Sequence, residues 1–582
     1  MSKTAKTRSW FFPTSPRSPA ILEEDFKLIE DYDGCYWNPE TQSQFGKQWS
    51  SLSESREAPK DPALTARDRV NRAPKLLGLI TIPPRQKAPL RITNTGKRFS
   101  KLSMKRSLYT KQLLKIQFPS PLHCGPAYEL MDIKPLVAVA LILDAVGPIS
   151  KEELQLFVLT TIRAEKIDET IQEITNFRRE ILSKPPGLAR KKFRKTFAEN
   201  RIYEIYKDDI ITGNTHVREG SGKFIETKFN TLKDYADAAF RYLLSTELFT
   251  FDPRSNRLAK ASMYSNDFDF IVSSCKATAE PFEGNKYTDW ADNYLGNPDI
   301  PSLPSDNIAS TTQQTNKKLE SVGTSDALSL KNQINQQNDD TELMVLLEQA
   351  FGLIISEKRK ITSSNIKNNR TEVWNDVKNL YESIGKRDPE LIDRPLLYEW
   401  NTWRAFEILN DNIEAAPNLQ FDLDNNPVCT APGKRPDMVV EFNDFWLIVE
   451  VTLTAGYKQY EAEGESIIRH VGQFQSEKVS QGDKRPVYGI FIAEKINDDI
   501  IHFLRAQSAF ITARFSGSVR IFPLARKDFE KYVDMYLATN KTSKDLHSAL
   551  ERMFVIAANN EFDEIEWVRQ SLNTLLIHPY TN

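Results

Sequence analysis

The sequence predicts a multidomain α+β chain: two helix-and-hairpin modules in tandem, a helical linker, and a C-terminal α/β domain. Three observations carry that prediction. A chain of 582 residues exceeds what one hydrophobic core organises, so three or four domains are expected. A pattern of helix, turn and short strands occurs twice between residues 66 and 261. Near the C-terminus, apolar runs of strand length alternate with helical periodicity, as in a sheet covered by helices.

In the first module, a helix over Ala66–Lys75 leads into Leu76-Leu77-Gly78-Leu79-Ile80. A proline-rich turn (Pro83-Pro84-Arg85), a strand at Leu90–Thr93 and a turn at Thr95–Arg98 into a new helix follow. The second copy runs from Pro135 to about Ala261. Leu136–Ala145 is helical, Gly147-Pro148-Ile149 turns, and Ser150 with Glu153 forms a capping box that opens the next helix. Tyr235–Leu244 is helical, and Leu248–Phe251 pairs with Arg257–Ala259. This is how winged-helix-like modules read; a helical scaffold with small hairpins is the plainer alternative.

Residues 297–340 are rich in Ser, Thr, Asn, Gln and Asp, which predicts a polar, partly flexible connector. Helical periodicity resumes at Leu343–Ile355 and Val373–Ile384. The last domain opens with a helix at Pro395, a favoured first helical position. Strands are expected at 438–442 and 445–453, a buried central strand at Val487–Ala493, a helix at Asp498–Ala506, a strand at Val519–Leu524, and a helical tail from Lys544. The expected divisions are 1–130, 131–296, 297–388 and 389–582.

Hydrophobic content of 40% and charged content of 27% exclude disordered and fibrous classes. The four cysteines are widely spaced and form no CxxC pair, which excludes a zinc ribbon and fits a reducing cytoplasm. The N-terminus lacks an apolar signal core, and no apolar run approaches ~18 residues, so neither export nor a membrane partner is expected.

The net charge of −2 conceals an asymmetry. Residues 1–120 contain 22 Lys/Arg against 11 Asp/Glu, an excess of the kind that follows a phosphate backbone. A second basic run spans Arg190–Lys195, although such runs are often only solvated helix faces. Arg67, Arg69, Arg72, Lys75, Lys97 and Arg98 are the candidates for contact with double-stranded DNA. Arginines can read guanine edges, while lysines more often hold phosphates. Surface charge that only aids solubility is the alternative for each.

The chemistry concentrates downstream. Pro436-Asp437 is followed, thirteen residues beyond the aspartate, by Glu450-Val451-Thr452. One acid starts a strand and the other ends the next, so the two converge. Asp437 and Glu450, with the Val451 carbonyl, form a candidate Mg²⁺ site for phosphodiester hydrolysis. Leu396, Glu399, Trp403 and Phe406 share one helical stripe. A carboxylate on that apolar stripe must be paired, coordinated or protonated; Arg394 or Arg404 could instead neutralise Glu399. Glu463 and His470, seven apart, fall on one helix face and could meet metal, water or phosphate, although each taken alone reads as solvated. The spacing is that of PD-(D/E)xK nucleases, with Thr452 in the lysine position and Lys458 close enough in sequence to be its substitute.

These residues resemble the AlwI-type family of type IIS restriction endonucleases. The likeness runs from Ser15-Pro16-Arg17-Ser18-Pro19 and Gly34-Cys35-Tyr36-Trp37 through Thr65–Val70 and Gln117-Phe118-Pro119-Ser120. It continues in Gly296-Asn297-Pro298, Pro301–Pro304, Glu399-Trp400-Asn401-Thr402-Trp403, Arg435–Met438 and Glu450-Val451-Thr452. The resemblance implies two winged-helix-like recognition subdomains, a linker and a PD-(D/E)xK cleavage domain. It implies Mg²⁺-dependent cleavage a short distance outside an asymmetric site, in a bacterial cytoplasm. Its acids fall on Glu399, Asp437, Glu450 and Glu463, with a matching histidine at His470, and Val-Thr also follows its glutamate. A cognate DNA methyltransferase is implied as a companion. So is either a transient homodimer through the cleavage domain or a small nuclease subunit. The polar stretch at 305–340 departs from the helical segment expected of relatives. Alternatives are a strand-specific nicking enzyme, the large subunit of a heterodimer, or a DNA-binding protein that does not cleave.

Overall fold

A computed structural model describes residues 6–51, 59–83, 88–102, 105–213, 221–253, 255–282, 287–388, 391, 393–409, 411–430, 435–539, 541–559 and 561–576. The chain divides into two compact units, Met1–Ile354 and Ile355–Asn582. No helix among the described residues is long and apolar enough to cross a membrane.

The N-terminal unit begins with helices Pro19–Glu30, Pro39–Ser51 and Pro62–Val70, which bury Phe26, Trp37 and Phe45. The expected helix over 66–75 is two pieces. Asp61 caps the first by accepting from the Leu64 N–H, and Pro62 occupies its first turn. The helix stops at Val70, and a separate turn, Ala73–Leu76, carries Pro74 near its start. Proline lacks the N–H that a continuous helix would need there. Ile80–Thr81 and Arg91–Ile92 then pair antiparallel; Pro84-Arg85 of the expected turn lies outside the described residues.

Gly296 and its neighbours return to this region. The Thr95 N–H donates to the Gly296 carbonyl at 2.9 Å, and Gln112 Nε2 donates to Leu295 O at 2.7 Å. The buried Lys115 ammonium donates to Asn297 O at 2.5 Å. Gly78 (φ +64°) passes so close that a Cβ would lie 2.6 Å from the Leu295 carbonyl oxygen.

The second helix-and-hairpin pattern contains helix Pro135–Val146 and a three-stranded antiparallel sheet ordered 149–150, 257–260, 249–252. The Ser150–Glu153 capping box forms. Glu153 is buried, and its carboxylate also receives Arg178 Nε at 2.7 Å and Arg257 Nη1 at 2.9 Å. Tyr235–Leu244 is the end of a longer helix, Ser221–Leu244.

The polar stretch after residue 297 corrects the expectation of a partly flexible connector. It contains helices Ile308–Val322 and Ser325–Gln336, followed by Asp340–Asn368 and Arg370–Gly385. Asn307 and Thr324 cap the first two helices, and Gly323 ends the first in the left-handed region. Mean polarity concealed a narrow apolar stripe: Thr315, Leu319, Ala327 and Ile334 are buried.

The C-terminal unit is built on a five-stranded sheet ordered 521–525, 487–493, 446–452, 438–441, 414–417. The first three strands are parallel, and the last two add antiparallel. All seven residues of Val487–Ala493 are buried, as a central strand requires. Helix Lys458–Ser480 links two parallel strands. With Asp498–Ala509 it covers one face, where Ile448, Ile467, Val471, Phe491, Leu504 and Phe515 pack together. Helix Arg394–Ile408 starts as expected, with Asp393 accepting from the Leu396 N–H and Pro395 in the first turn.

Close packing at the central strand leaves no room for a side chain at Gly489. A Cβ there would meet Ile521 Cγ1 at 2.8 Å and Val471 Cγ2 at 2.9 Å. Gly489→Ala is expected to destabilise the protein by about 1–3 kcal/mol, read as a lower midpoint in chemical denaturation.

Candidate active site

The site grows from one strand register. Met438 lies opposite Val449 in the antiparallel pair, so Asp437, just before its strand, lies beside Glu450 and Val451 near the end of the other. Asp437 Oδ2 accepts from the Val451 N–H at 2.7 Å. The Asp437 backbone N–H in turn favours the charged form of the Glu450 carboxylate. Asn418, just past the edge strand, secures the approach. Its backbone N–H donates to Asp437 O at 2.9 Å, and its amide donates to Pro436 O at 2.7 Å.

Two further groups arrive on helix Lys458–Ser480. His470 Nδ1 lies 2.7 Å from Glu450 Oε1, and both side chains are buried. With Glu450 ionised, the neutral imidazole donates Nδ1–H to it. His470 Nε2 is buried with no hydrogen-bond partner among the described residues. One turn-pair earlier, half-buried Glu463 accepts from Thr452 Oγ1 at 2.8 Å and Thr454 Oγ1 at 3.2 Å. Glu399 is half-buried on Arg394–Ile408, on a stripe with Leu396, Trp403 and Phe406, all nearly inaccessible. Of the two arginines that could have neutralised it, Arg404 pairs with Asp376 at 2.5 Å.

The four acids feel one another. Burial, then the charges of Glu450 and Glu463, hold the Asp437 carboxyl well above the usual range, opposed by the Val451 N–H. Burial, then Glu463 and Glu399, raise Glu450 likewise, opposed by the Asp437 N–H and by Arg469. His470 is pushed down to about 4 by burial and then by the neighbouring Arg469 cation.

Among the described residues, no three His, Cys, Asp or Glu side chains converge as a preformed metal cage. The donors that do converge still suit a hard cation. Mg²⁺ uses one or two protein carboxylates, accepts a carbonyl and keeps several waters; Asp437 and Glu450, with the carbonyl of Val451 next in the strand, are the residues that could hold it. The charge crowded into this corner is what a bound cation offsets.

Sequence reasoning missed Thr452 and Thr454 as partners of Glu463, Arg469 as the cation beside Glu450, and Asn418 as the tether. Only Thr452 had a sequence signal, its place where a lysine was awaited. Lys458 is exposed at the start of its helix, and no described contact ties it to the acids.

The basic candidates are dispersed. Arg67 is exposed on Pro62–Val70, 3.5 Å from Gln42. Arg69 on the same helix pairs with the buried Asp25 at 3.4 Å and lies over the Trp49 ring. Arg72 pairs with Asp68 at 2.8 Å. Lys75 is partly buried over the Tyr287 ring, and burial pulls its ammonium below the usual lysine range. Lys97 and Arg98 are exposed on helix Asn94–Lys101, and Arg98 pairs with Asp299 at 2.7 Å.

The AlwI restriction endonuclease family matches the chain over residues 75–533. Among solved structures, the chain is similar to the small subunit (R.BspD6I2) of the heterodimeric restriction endonuclease R.BspD6I. That likeness is 21% identical, with a TM-score of 0.27, over 35% of this chain and 97% of the other. The BpuJ1 endonuclease binding domain, in complex with pyrene- and phenanthrene-modified DNA, is 14% identical, with a TM-score of 0.33, over 48% of this chain and 92% of the other. No curated protein matches the chain.

The crowded acids predict a stability cost. A carboxyl whose pKa is raised by folding binds more protons folded than unfolded, so stability falls as pH rises from the unfolded value near 4 through the raised one. Asp437→Asn can still accept from the Val451 N–H and removes one charge. Without divalent ions at neutral pH it should gain about 1 kcal/mol, roughly 2–4 °C in Tm. The gain should shrink as pH is lowered towards 4, measured by thermal melts across pH.

Proposed function

The chain belongs to the AlwI restriction endonuclease family, and on that premise we propose that it is a Mg²⁺-dependent type IIS endonuclease. It hydrolyses phosphodiester bonds a short fixed distance outside an asymmetric site in double-stranded DNA. The observation that carries this reading is the Asp437–Glu450 corner, tied by the Val451 N–H, with His470 hydrogen-bonded to Glu450 and the charges of Glu463 and Glu399 acting on it. The C-terminal unit, a mixed sheet with two acids on adjoining strands, is read as the PD-(D/E)xK cleavage domain.

When bound by Asp437, Glu450 and the Val451 carbonyl, Mg²⁺ supplies Lewis-acid stabilisation of charge at the reacting phosphate. The chain's own residues fix the geometry. His470 holds Glu450 in one orientation through its Nδ1 hydrogen bond. Glu463, held by two hydroxyls, is positioned to orient the attacking water. Glu399 adds negative charge that strengthens the attraction for a cation. In the N-terminal unit, the two helix-and-hairpin patterns are read as winged-helix-like modules that recognise DNA. A methyltransferase protecting the same site is the companion such an enzyme requires in a bacterial cytoplasm. A second cleavage domain or small nuclease subunit is the companion if both strands are cut.

Plasmid incubated with the protein and Mg²⁺ should be cut at discrete positions, with site, offset and strand choice read by run-off sequencing. Asp437→Asn and Glu450→Gln should each slow cleavage by about a thousandfold, the several kcal/mol that a lost Lewis-acid site represents. Cleavage by Asp437→Asn at the wild-type rate, or equal cleavage without divalent ions, would overturn the proposal. Open-circular product alone would identify a nicking enzyme.

The placement of the basic side chains separates readers from structural cations. Lys97→Ala and Arg67→Ala should weaken DNA binding, each lowering the slope of log affinity against log salt by about 1 if it contacts phosphate. Arg69→Ala, which removes a cationic partner of buried Asp25, should lower Tm. Salt-titrated binding isotherms and thermal melts distinguish the two.

A further inference from the structure

We propose that Thr452 and Thr454 are positioning residues that clamp Glu463 for hydrolysis in place of the missing lysine. The inference rests on the endonuclease reading above and deepens it. Thr452 sits at the end of the acid-bearing strand, with its side chain almost buried. Its hydroxyl donates to Glu463 Oε1 at 2.8 Å, and its oxygen accepts from the Thr454 N–H at 3.0 Å. Thr454 Oγ1 reaches the same Glu463 oxygen at 3.2 Å. Both described hydrogen bonds therefore fall on Oε1, and no described hydrogen bond falls on Oε2.

The loop carrying this clamp is itself anchored. Gly456, at φ +67°, turns the chain from the strand into helix Lys458–Ser480. Gln459, the second residue of that helix, is fully buried. Its Nε2 donates to Thr454 O at 3.0 Å and Lys495 O at 3.1 Å, and its Oε1 accepts from the Asn497 N–H at 2.9 Å. A glutamate has three rotatable side-chain bonds, and two hydroxyls fixed to one oxygen remove that freedom before DNA arrives. A lysine here would bring a positive charge into the acidic corner. Threonine instead brings dipoles that orient an acid and leave its charge in place. The charge of Glu463 acts on both Glu450 and Asp437, and Arg469 acts on Glu450 in the opposite sense.

Thr452→Val keeps the shape and removes the hydroxyl; Thr452→Ser keeps the hydroxyl. In plasmid cleavage with Mg²⁺, Thr452→Val should lower kcat about 10- to 100-fold with KM for DNA within about twofold, the size expected of a misplaced group. Thr452→Ser should stay within about threefold of wild type, and Thr452→Val/Thr454→Val should fall below Thr452→Val. Ca²⁺, titrated without DNA, should raise the Tm of wild type and of Thr452→Val equally, because the clamp acts on Glu463 and not on the cation's ligands. Wild-type kcat in both Thr452→Val and the double variant would overturn the inference. So would loss of the Ca²⁺ response in Thr452→Val, or a Thr452→Ser no better than Thr452→Val. Asp437→Asn run alongside separates the failures: if it cleaves like wild type the endonuclease reading falls, and if only the threonine variants do, the clamp alone falls.

Discussion

The register that sets Met438 opposite Val449 is the constraint on which the rest of the site depends. Side chains on a strand alternate faces, so a slip of one residue would turn every side chain of one strand to the other face and separate Asp437 from Glu450. The register is held from both directions. Inside the sheet, Val440 and Leu447 are paired and fully buried, so a slip would expose apolar surface. At the open end, the Val451 N–H donates to the Asp437 side chain. The strand pair is thus tied by one of the acids it serves to position, and fold and chemistry share the same bond.

That economy has an energetic cost. Burial raises both Asp437 and Glu450; the charge of Glu450 then raises Asp437 further, and those of Glu463 and Glu399 raise Glu450. A structural core would replace such a cluster with apolar residues or a matched ion pair. The same unit contains one, where Arg526 is flanked by Glu494 and Glu530. At the acidic corner, Arg469 is a cation that acts on Glu450. Buried acids crowded at the end of a strand pair, with strongly perturbed ionisation, are more typical of a functional site than of a structural network.

Much of the C-terminal unit was legible in the sequence because its signals are local. The run Val487–Ala493 needs no partner to be recognised, and the apolar stripe around Glu399 shows itself at helical spacing. The step from Asp437 to Glu450 could be read because a hairpin has only one way to fold back. The contacts from the next helix were not legible. Which oxygen Thr452 addresses, and that Lys458 is exposed, depends on the turn at Gly456 and on the angle at which the helix crosses the sheet. The polar stretch after residue 297 failed for a related reason. A composition average discards spacing, and there four buried residues with two caps suffice for two helices.

The basic N-terminal segment shows the limit of reading charge along a chain. The excess of cations over residues 1–120 is partly an artefact of where the sequence is divided. Acids that arrive much later meet those same cations in space: Asp267 pairs with Arg106 at 3.1 Å, Asp306 with Lys111 at 2.9 Å, Asp299 with Arg98 at 2.7 Å, and Asp292 with Arg91 at 3.9 Å. Arg106 and Asp267 are buried together, so they organise the fold and leave no charge over for a phosphate. Pairs at the exposed rim, such as Arg98–Asp299, differ in kind. An exposed ion pair contributes about 0–1 kcal/mol, little enough for a phosphate to displace the aspartate. Affinity for a polyanion therefore depends on which of these cations can exchange partners. That property follows from burial, and burial of Arg106 against Asp267 is set by segments 161 residues apart.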